Sequence, residues 1–439
     1  MIGGFHYGYN VAVVGAAKEG LASSFATTVA TFSLLSAAAL LGAIVGSPIS
    51  GAVCSRFGRR AGTLVGEALS VAGALGSAAG TDMSFIIACR VAIGLGVGFC
   101  TLAKPIYVRE VLSDDRVSPV QASFAPSVAL GILAAQASSS LTTSWRVQLA
   151  FGAVPPLVLL LVAFIWMAES PAWLEEGKHD AHTTAAAGVV SDAAPAAATS
   201  TGAAGATRRV QRRLHSSDRT AVPPAVMAAL LGVANQLTGA YPILVYAPLL
   251  AGSSEPDANS MPASAGVGGD SVTGSAWPSS SMVPVLVTAS NLAGACLALP
   301  LMARCPRRPL LLTGCVLMAV CLWCTVLLEA DQAHLDLALV ALALGTWCVA
   351  YEVSIGSGYF VVVSDLAQGT SATLVFAVGN SVRFAAEFGS SVLFLPATQS
   401  YGVPATLSFH AIVTCVVALA LLVTLPETNL RFKRPAHLL

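Results

Sequence analysis

Ser55-Arg56-Phe57-Gly58-Arg59-Arg60 and Ala303-Arg304-Cys305-Pro306-Arg307-Arg308 are two short basic turns of like build, each wedged between long apolar stretches. A chain that repeats one basic turn in its two halves, with hydrocarbon-length segments on either side, reads as a duplicated membrane carrier. Composition agrees. Charged residues make up 10% of the chain and hydrophobic ones 55%, against about 25% charged in soluble domains. Net charge is zero, so the balance implies no nucleic-acid partner and the information lies in where the charges sit.

Working outward from the two turns, runs of about 20 apolar residues, enough for a helix to cross a bilayer, number twelve: 1–17, 28–54, 61–81, 83–108, 118–142, 145–167, 222–250, 281–303, 309–329, 335–364, 370–395 and 402–425. With both termini cytoplasmic, the inside loops and tail collect nearly all loop Lys and Arg, leaving only Lys18 and Arg146 outside. That is the asymmetry expected of an even number of spans. Residues 168–221 read as a cytoplasmic linker, disordered in its Ala/Thr/Ser/Gly middle, between six-span halves at 1–167 and 222–425, with 426–439 as a tail. Residues 251–280, rich in Ser, Gly and Pro, read as a flexible outside loop without a glycosylation sequon. None of the ten cysteines falls in an outside loop, so no disulfide framework is implied, and Cys321 with Cys324 reads as helix packing. No basic n-region precedes the first apolar run, so no cleavable signal is expected.

Further motifs resemble the sugar porters of the major facilitator superfamily. Gly8-Tyr9-Asn10 through Gly15 is similar to G-Y-D/N-x-G-V-x-x-G; Gly51 to Arg60 is similar to G-x-x-x-D-R-x-G-R-R, with Ser55 at the acid; Arg90 to Gly98 and Pro105 to Glu110 resemble R-x-x-x-G-x-G-x-G and P-x-Y-x-x-E. Glu169-Ser170-Pro171-Ala172-Trp173-Leu174 is similar to P-E-S-P-R-W-L without its first Pro and its Arg, and Pro426-Glu427-Thr428 matches P-E-T. Each is weak alone, but their order along nearly the whole chain is specific. The resemblance implies an all-α membrane protein with the twelve-helix major facilitator fold, two six-helix halves built of inverted repeats. It also implies one or two further helical turns before Gly8, since Met1 is only nine residues upstream of Asn10; a truncated or misassigned start and a short span one are therefore expected.

A midplane site between the halves is the place where polar side chains are tolerated, and hydroxyl-rich ligands need amides and carboxylates above an aromatic face. By resemblance, Asn235, Gln236, Tyr241 and Tyr246 of span seven, Asn291 of span eight, and Glu352 and Phe360 of span ten are the substrate-binding candidates, with Asn235, Gln236, Asn291 and Glu352 expected to point into one cavity between the halves. Gln236 and Asn291 as interhelical glue, and Tyr241, Tyr246 and Phe360 as packing or gate residues, stand as plainer alternatives. Span five lacks the family glutamine, with Phe124 and Ala125 in that neighbourhood, and span ten has Ser354 to Phe360 in place of G-P-x-P-x-x-W. Gating or coupling candidates are Asn10, Arg56, Arg59, Arg60, Arg90, Glu110, Glu169, Arg304, Arg307, Arg308 and Asp365; positive-inside anchoring is the plain reading of the arginines, and close helix packing that of Gly94 to Gly98. Arg383 and Glu387, four apart on one face, read as mutually neutralised.

The mechanism these readings imply is alternating access for a small sugar, a hexose first, in a multi-pass plasma-membrane protein with no cofactor, no metal and no obligate protein partner. Nucleotide loops, metal-ligand clusters and nucleophile motifs are missing, so no enzyme is expected. Proton-driven sugar porters carry an aspartate where this chain has Asn10, and an amide cannot titrate, so facilitated diffusion is expected. A proton symporter of sugars or polyols using Glu67, Glu352, Asp365 or Glu387 is the alternative. A non-transporting sugar sensor or decayed paralogue is another.

Overall fold

The computed structural model describes residues 2–25, 28–175, 222–240, 243, 282–330, 337–367 and 372–428. The linker core (176–221), residues 244–281, and both Tyr241 and Tyr246 lie outside them.

Each expected apolar run is helical where it is described. Span one is Ile2–Ala16, span two Val29–Phe57, span three Arg59–Ala79 and span four Met83–Val111. Span five joins Asp114–Ala122 to Phe124–Leu141, and span six joins Trp145–Phe151 to Val154–Trp166. Span seven is Pro224–Leu237, span eight Met282–Arg304, span nine Arg307–Ala330, span eleven Ala372–Tyr401 and span twelve Val403–Thr424. Span ten is interrupted: Leu337–Tyr351 and Ser357–Leu366 flank a π turn, Glu352–Gly356. Among the described residues eight helices are long and apolar enough to cross a bilayer. Spans three and eleven are also long, but carry buried Glu67 and the buried Arg383 and Glu387. Span eleven passes through Pro396, which extends it beyond the expected end at 395.

The first arginine turn is built on Gly58. Its φ of 93° ends span two and opens span three without a linker, and a Cβ there would lie 2.1 Å from Glu169 Oε2, so only glycine fits. Spans two and four cross with their backbones almost touching: a Cβ on Gly94 would meet the carbonyl of Ala39 at 1.9 Å, and one on Gly42 that of Val91 at 2.1 Å. Small residues do what they do in lipid, where packing replaces the hydrophobic drive.

Helix pairing repeats between halves. Span one packs on five, two on four, three on four and three on six; in the second half seven packs on eleven, eight on ten, nine on ten and nine on twelve. The halves meet where span two lies on eleven and span five on eight, the same contact seen twice. Large apolar side chains such as Trp166, Leu327, Leu342 and Val423 are exposed on the outer faces, where only lipid can cover them.

Candidate functional site

A polar cluster is buried between the halves. Asn235 and Gln236 close the last turn of Pro224–Leu237, just before Gly239 breaks the helix at φ 98°. Asn235 Nδ2 donates to the Ile355 carbonyl at 3.1 Å, and Gln236 Nε2 donates to Asn235 Oδ1 at 2.9 Å. Glu352 opens the π turn of span ten, accepting from Asn291 Nδ2 at 3.0 Å and from Ser357 Oγ at 3.3 Å. A π turn swings a side chain off the regular helical rows, and such turns recur at functional sites. The four candidates are all buried and bonded in two neighbouring groups, Asn235 with Gln236 and Asn291 with Glu352.

The Asn235–Gln236 group extends to residues outside the expected binding set. Gln236 Nε2 also reaches Glu387 Oε2 at 3.3 Å, and Tyr7 OH donates to Glu387 Oε1 at 2.6 Å, tying span one to span eleven. The expected ion pair of Arg383 with Glu387 is present at 3.2 Å. Its register was readable from the i,i+4 spacing; its position beside Gln236 needs the packing of spans one, seven and eleven. Two departures from the family pattern meet each other: the Phe124 and Phe360 rings lie 4.5 Å apart, so the lost glutamine and the lost tryptophan are replaced by one aromatic contact across the halves.

Asn10 spends its side-chain amide on the backbone, donating to His6 O at 3.1 Å and Gly152 O at 3.2 Å, while Arg90 Nη2 donates to the Asn10 carbonyl at 2.6 Å. The two candidates are thus brought together, with no carboxylate at position 10. A second charge pair, half-buried Lys104 with buried Glu67, lies in the first half, and Cys100 Sγ donates to the same Glu67 oxygen at 3.4 Å. His6 and Lys104 border a cavity of about 90 Å³ that reaches Tyr7 and Phe124.

The arginine end follows one plan in both halves. Glu169 accepts from the backbone N–H of Arg59 at 2.8 Å and of Arg60 at 3.2 Å, and Glu427 from those of Arg307 and Arg308 at 3.1 Å each. Each carboxylate caps the positive end of a span. Arg60 then reaches Phe164 O and Arg308 reaches Leu422 O, at 2.8 and 2.7 Å. Arg59 forks onto Glu110 at 2.7 Å, and Arg307 pairs with Asp365. Asp365 also faces Arg109 of the other half at 3.7 Å, and Arg307 Nη2 donates to Ser118 Oγ at 2.6 Å. Arg56 and Arg304 are exposed, and among the described residues they form no ion pair. One apolar cluster at this end draws on both halves, Leu102 and Ile106 with Leu311, Tyr359 and Phe376. The clusters around Val13 and Trp145 and around Leu344 and Trp347 each belong to a single half. These contacts join the two halves at the arginine end.

Such an architecture is that of an integral, multi-pass membrane protein of the major facilitator class. The fold matches the proton:xylose symporter XylE bound to 6-bromo-6-deoxy-D-glucose with a TM-score of 0.73, at 20% identity, covering 97% of this chain and 94% of that one. It matches inward-open XylE from E. coli with a TM-score of 0.66, at 20% identity over 98% and 95% of the two chains. The family model described as "Sugar (and other) transporter" spans residues 1–434, and the chain belongs to that family. Curated relatives include the arabinose-proton symporter of Escherichia coli K12, 30% identical over 182 residues, and the D-xylose transporter of Levilactobacillus brevis, 32% identical over 182 residues. These alignments cover 40% of this chain in both cases, and 38% and 40% of the relatives, so the matched part spans about two-fifths of each.

Proposed function

We propose that this protein carries a small sugar, a hexose first, across the plasma membrane by alternating access, with both termini cytoplasmic. The halves at 1–167 and 222–425 rock about the central cluster while 168–221 links them and 426–439 trails as a tail. Asn235, Gln236, Asn291 and Glu352 take the sugar hydroxyls, with Phe360 as an apolar wall; Tyr241 and Tyr246 are proposed from the motif alone. Arg59, Arg60, Glu110, Glu169, Arg307, Arg308 and Asp365 form the latch, and Arg56 and Arg304 anchor it to headgroups.

The observation that carries this reading is the buried set of amides and carboxylates at the seam of the two halves. Polar groups of that kind are expensive in a bilayer unless they serve a ligand path. Counterflow of labelled hexoses, pentoses and polyols in proteoliposomes tests it: saturable exchange supports transport, and equilibrium binding without exchange converts the protein into a sensor.

Facilitated diffusion is the proposed energetics, because Asn10 gives Arg90 no carboxylate that could be neutralised by a proton. The names of the arabinose- and galactose-proton symporters among the relatives, together with the pairing of buried Glu67 with Lys104, support proton symport as the second reading. Uptake above equilibrium under an imposed pH gradient decides between them.

A further inference from the structure

The ion pair on span eleven is satisfied on one side only. Both Glu387 oxygens are engaged: Oε1 takes the Tyr7 hydroxyl at 2.6 Å, and Oε2 takes Gln236 at 3.3 Å and Arg383 Nη1 at 3.2 Å. Arg383, 4% exposed, is not. Its Nε and Nη2 are buried with no acceptor in hydrogen-bonding geometry among the described residues, although these two N–H groups form one edge of the guanidinium fork and donate in parallel. The rings of Tyr7, Phe360 and Phe384 hold the guanidinium carbon 5.7, 5.8 and 4.2 Å from their centroids. Aromatic faces stabilise the cation and fix its plane, but accept no strong hydrogen bond. Asn235, Gln236, Asn291 and Glu352, by contrast, all have partners within the cluster.

A buried donor pair without acceptors is disfavoured unless a ligand supplies them. Resting on the transport reading above, we infer that Arg383 is a substrate-contact residue whose Nε/Nη2 edge donates to two adjacent hydroxyl oxygens of an uncharged sugar. Glu387 is its positioning residue, held in turn by Tyr7 and Gln236. Charge sets the substrate class. Glu387 already offsets the guanidinium, and Glu352 is a second buried carboxylate whose donors among the described residues are the neutral Asn291 and Ser357. A sugar acid would add a further negative charge to a site with no cation to spare, whereas hydroxyl oxygens accept both N–H groups at no such cost. Tyr7, whose ring centroid lies 5.7 Å from the guanidinium carbon, also borders the cavity that reaches Phe124.

The experiment is counterflow in proteoliposomes with D-glucose, its monodeoxy derivatives and D-glucuronate, on the full chain and on Arg383→Gln and Arg383→Lys. The wild type is expected to exchange glucose and reject glucuronate, and to lose at least about tenfold in apparent affinity for deoxy sugars lacking one of two neighbouring hydroxyls. Arg383→Gln should raise the glucose half-saturation at least about tenfold and abolish that particular deoxy penalty while penalties at other positions persist. A merely structural arginine would not produce such a position-specific change. Arg383→Lys, which keeps the charge but not the fork, should behave like Arg383→Gln. Should neither variant fold, the wild-type deoxy series still decides: a flat series overturns the inference. Glucose exchange with unchanged half-saturation in the variants, or a preference for glucuronate, overturns the inference and leaves sugar transport standing. Exchange of no sugar at all overturns both.

Discussion

Asn10 is the residue on which the proposed energetics turn. Its side chain is held by two carbonyls and its own carbonyl by Arg90, and the amide itself cannot titrate. Asn10→Asp introduces a carboxylate beside a buried guanidinium, a pair that a proton can break. The expected outcome is that sugar flux, insensitive to an imposed proton gradient in the wild type, becomes gradient-dependent in Asn10→Asp; proton uptake measured with an internal pH dye reports it. Equal gradient dependence in both proteins would place coupling elsewhere, with Glu67 and Lys104 first. At the amides, Gln236→Ala and Asn291→Ala should each weaken binding by about 1–3 kcal/mol, the cost of leaving buried partners unpaired, as read by competition with a labelled sugar. Asn291→Ala strips Glu352 of one of its two neutral donors, so its effect should be the larger.

Among the elements, the repeated cap shows how much a sequence can carry and where it stops. Gly58, Arg59, Arg60 and Glu169 are readable as motif residues, but the motif does not say that the Glu169 carboxylate sits on the N–H groups of span three; that needs the end of span six folded back by its own length. Glu427 repeats the arrangement on span nine. Replacing either glutamate with alanine removes a buried-end cap and should lower stability by about 0.5–2 kcal/mol, seen as a reduced melting temperature in detergent, with the two effects adding because the caps are far apart. The π turn at Glu352–Gly356 is a different case. Glycines in place of the family prolines signal a deformable stretch, yet hydrophobic periodicity cannot place a single wide turn, because the apolar run reads the same on either side of it. Phe360 was legible as a candidate aromatic in place of the family tryptophan and Phe124 only as the absence of a glutamine; their contact appears once spans five and ten are packed.

For the molecule as a whole, the twelve spans, the duplication and the basic face were legible because the bilayer imposes length, low charge and arginine asymmetry on each segment independently. The central cluster was legible in part. Residues that match a motif, such as Gln236 and Glu352, could be named from the chain, while Tyr7 and Arg383 depend on rotational register between spans far apart in sequence. The latched end leads to a prediction at this scale. Asp365 faces two arginines, Arg307 in its own half and Arg109 in the other, so Asp365→Asn should loosen the arginine end and shift the population toward the opposite-facing state by about tenfold or more. A cysteine placed at Thr101, whose carbonyl holds Asn380 across the seam at 3.0 Å, should then be alkylated faster from the arginine side; an unchanged rate would remove Asp365 from the latch. Sugar transport by alternating access is tested most directly by counterflow in proteoliposomes loaded with unlabelled hexose. The account predicts transient accumulation of labelled hexose without any ion gradient, saturable and strongly reduced in Asn291→Ala. Labelled hexose that never rises above its passive leak, in vesicles shown to hold folded protein, would contradict it.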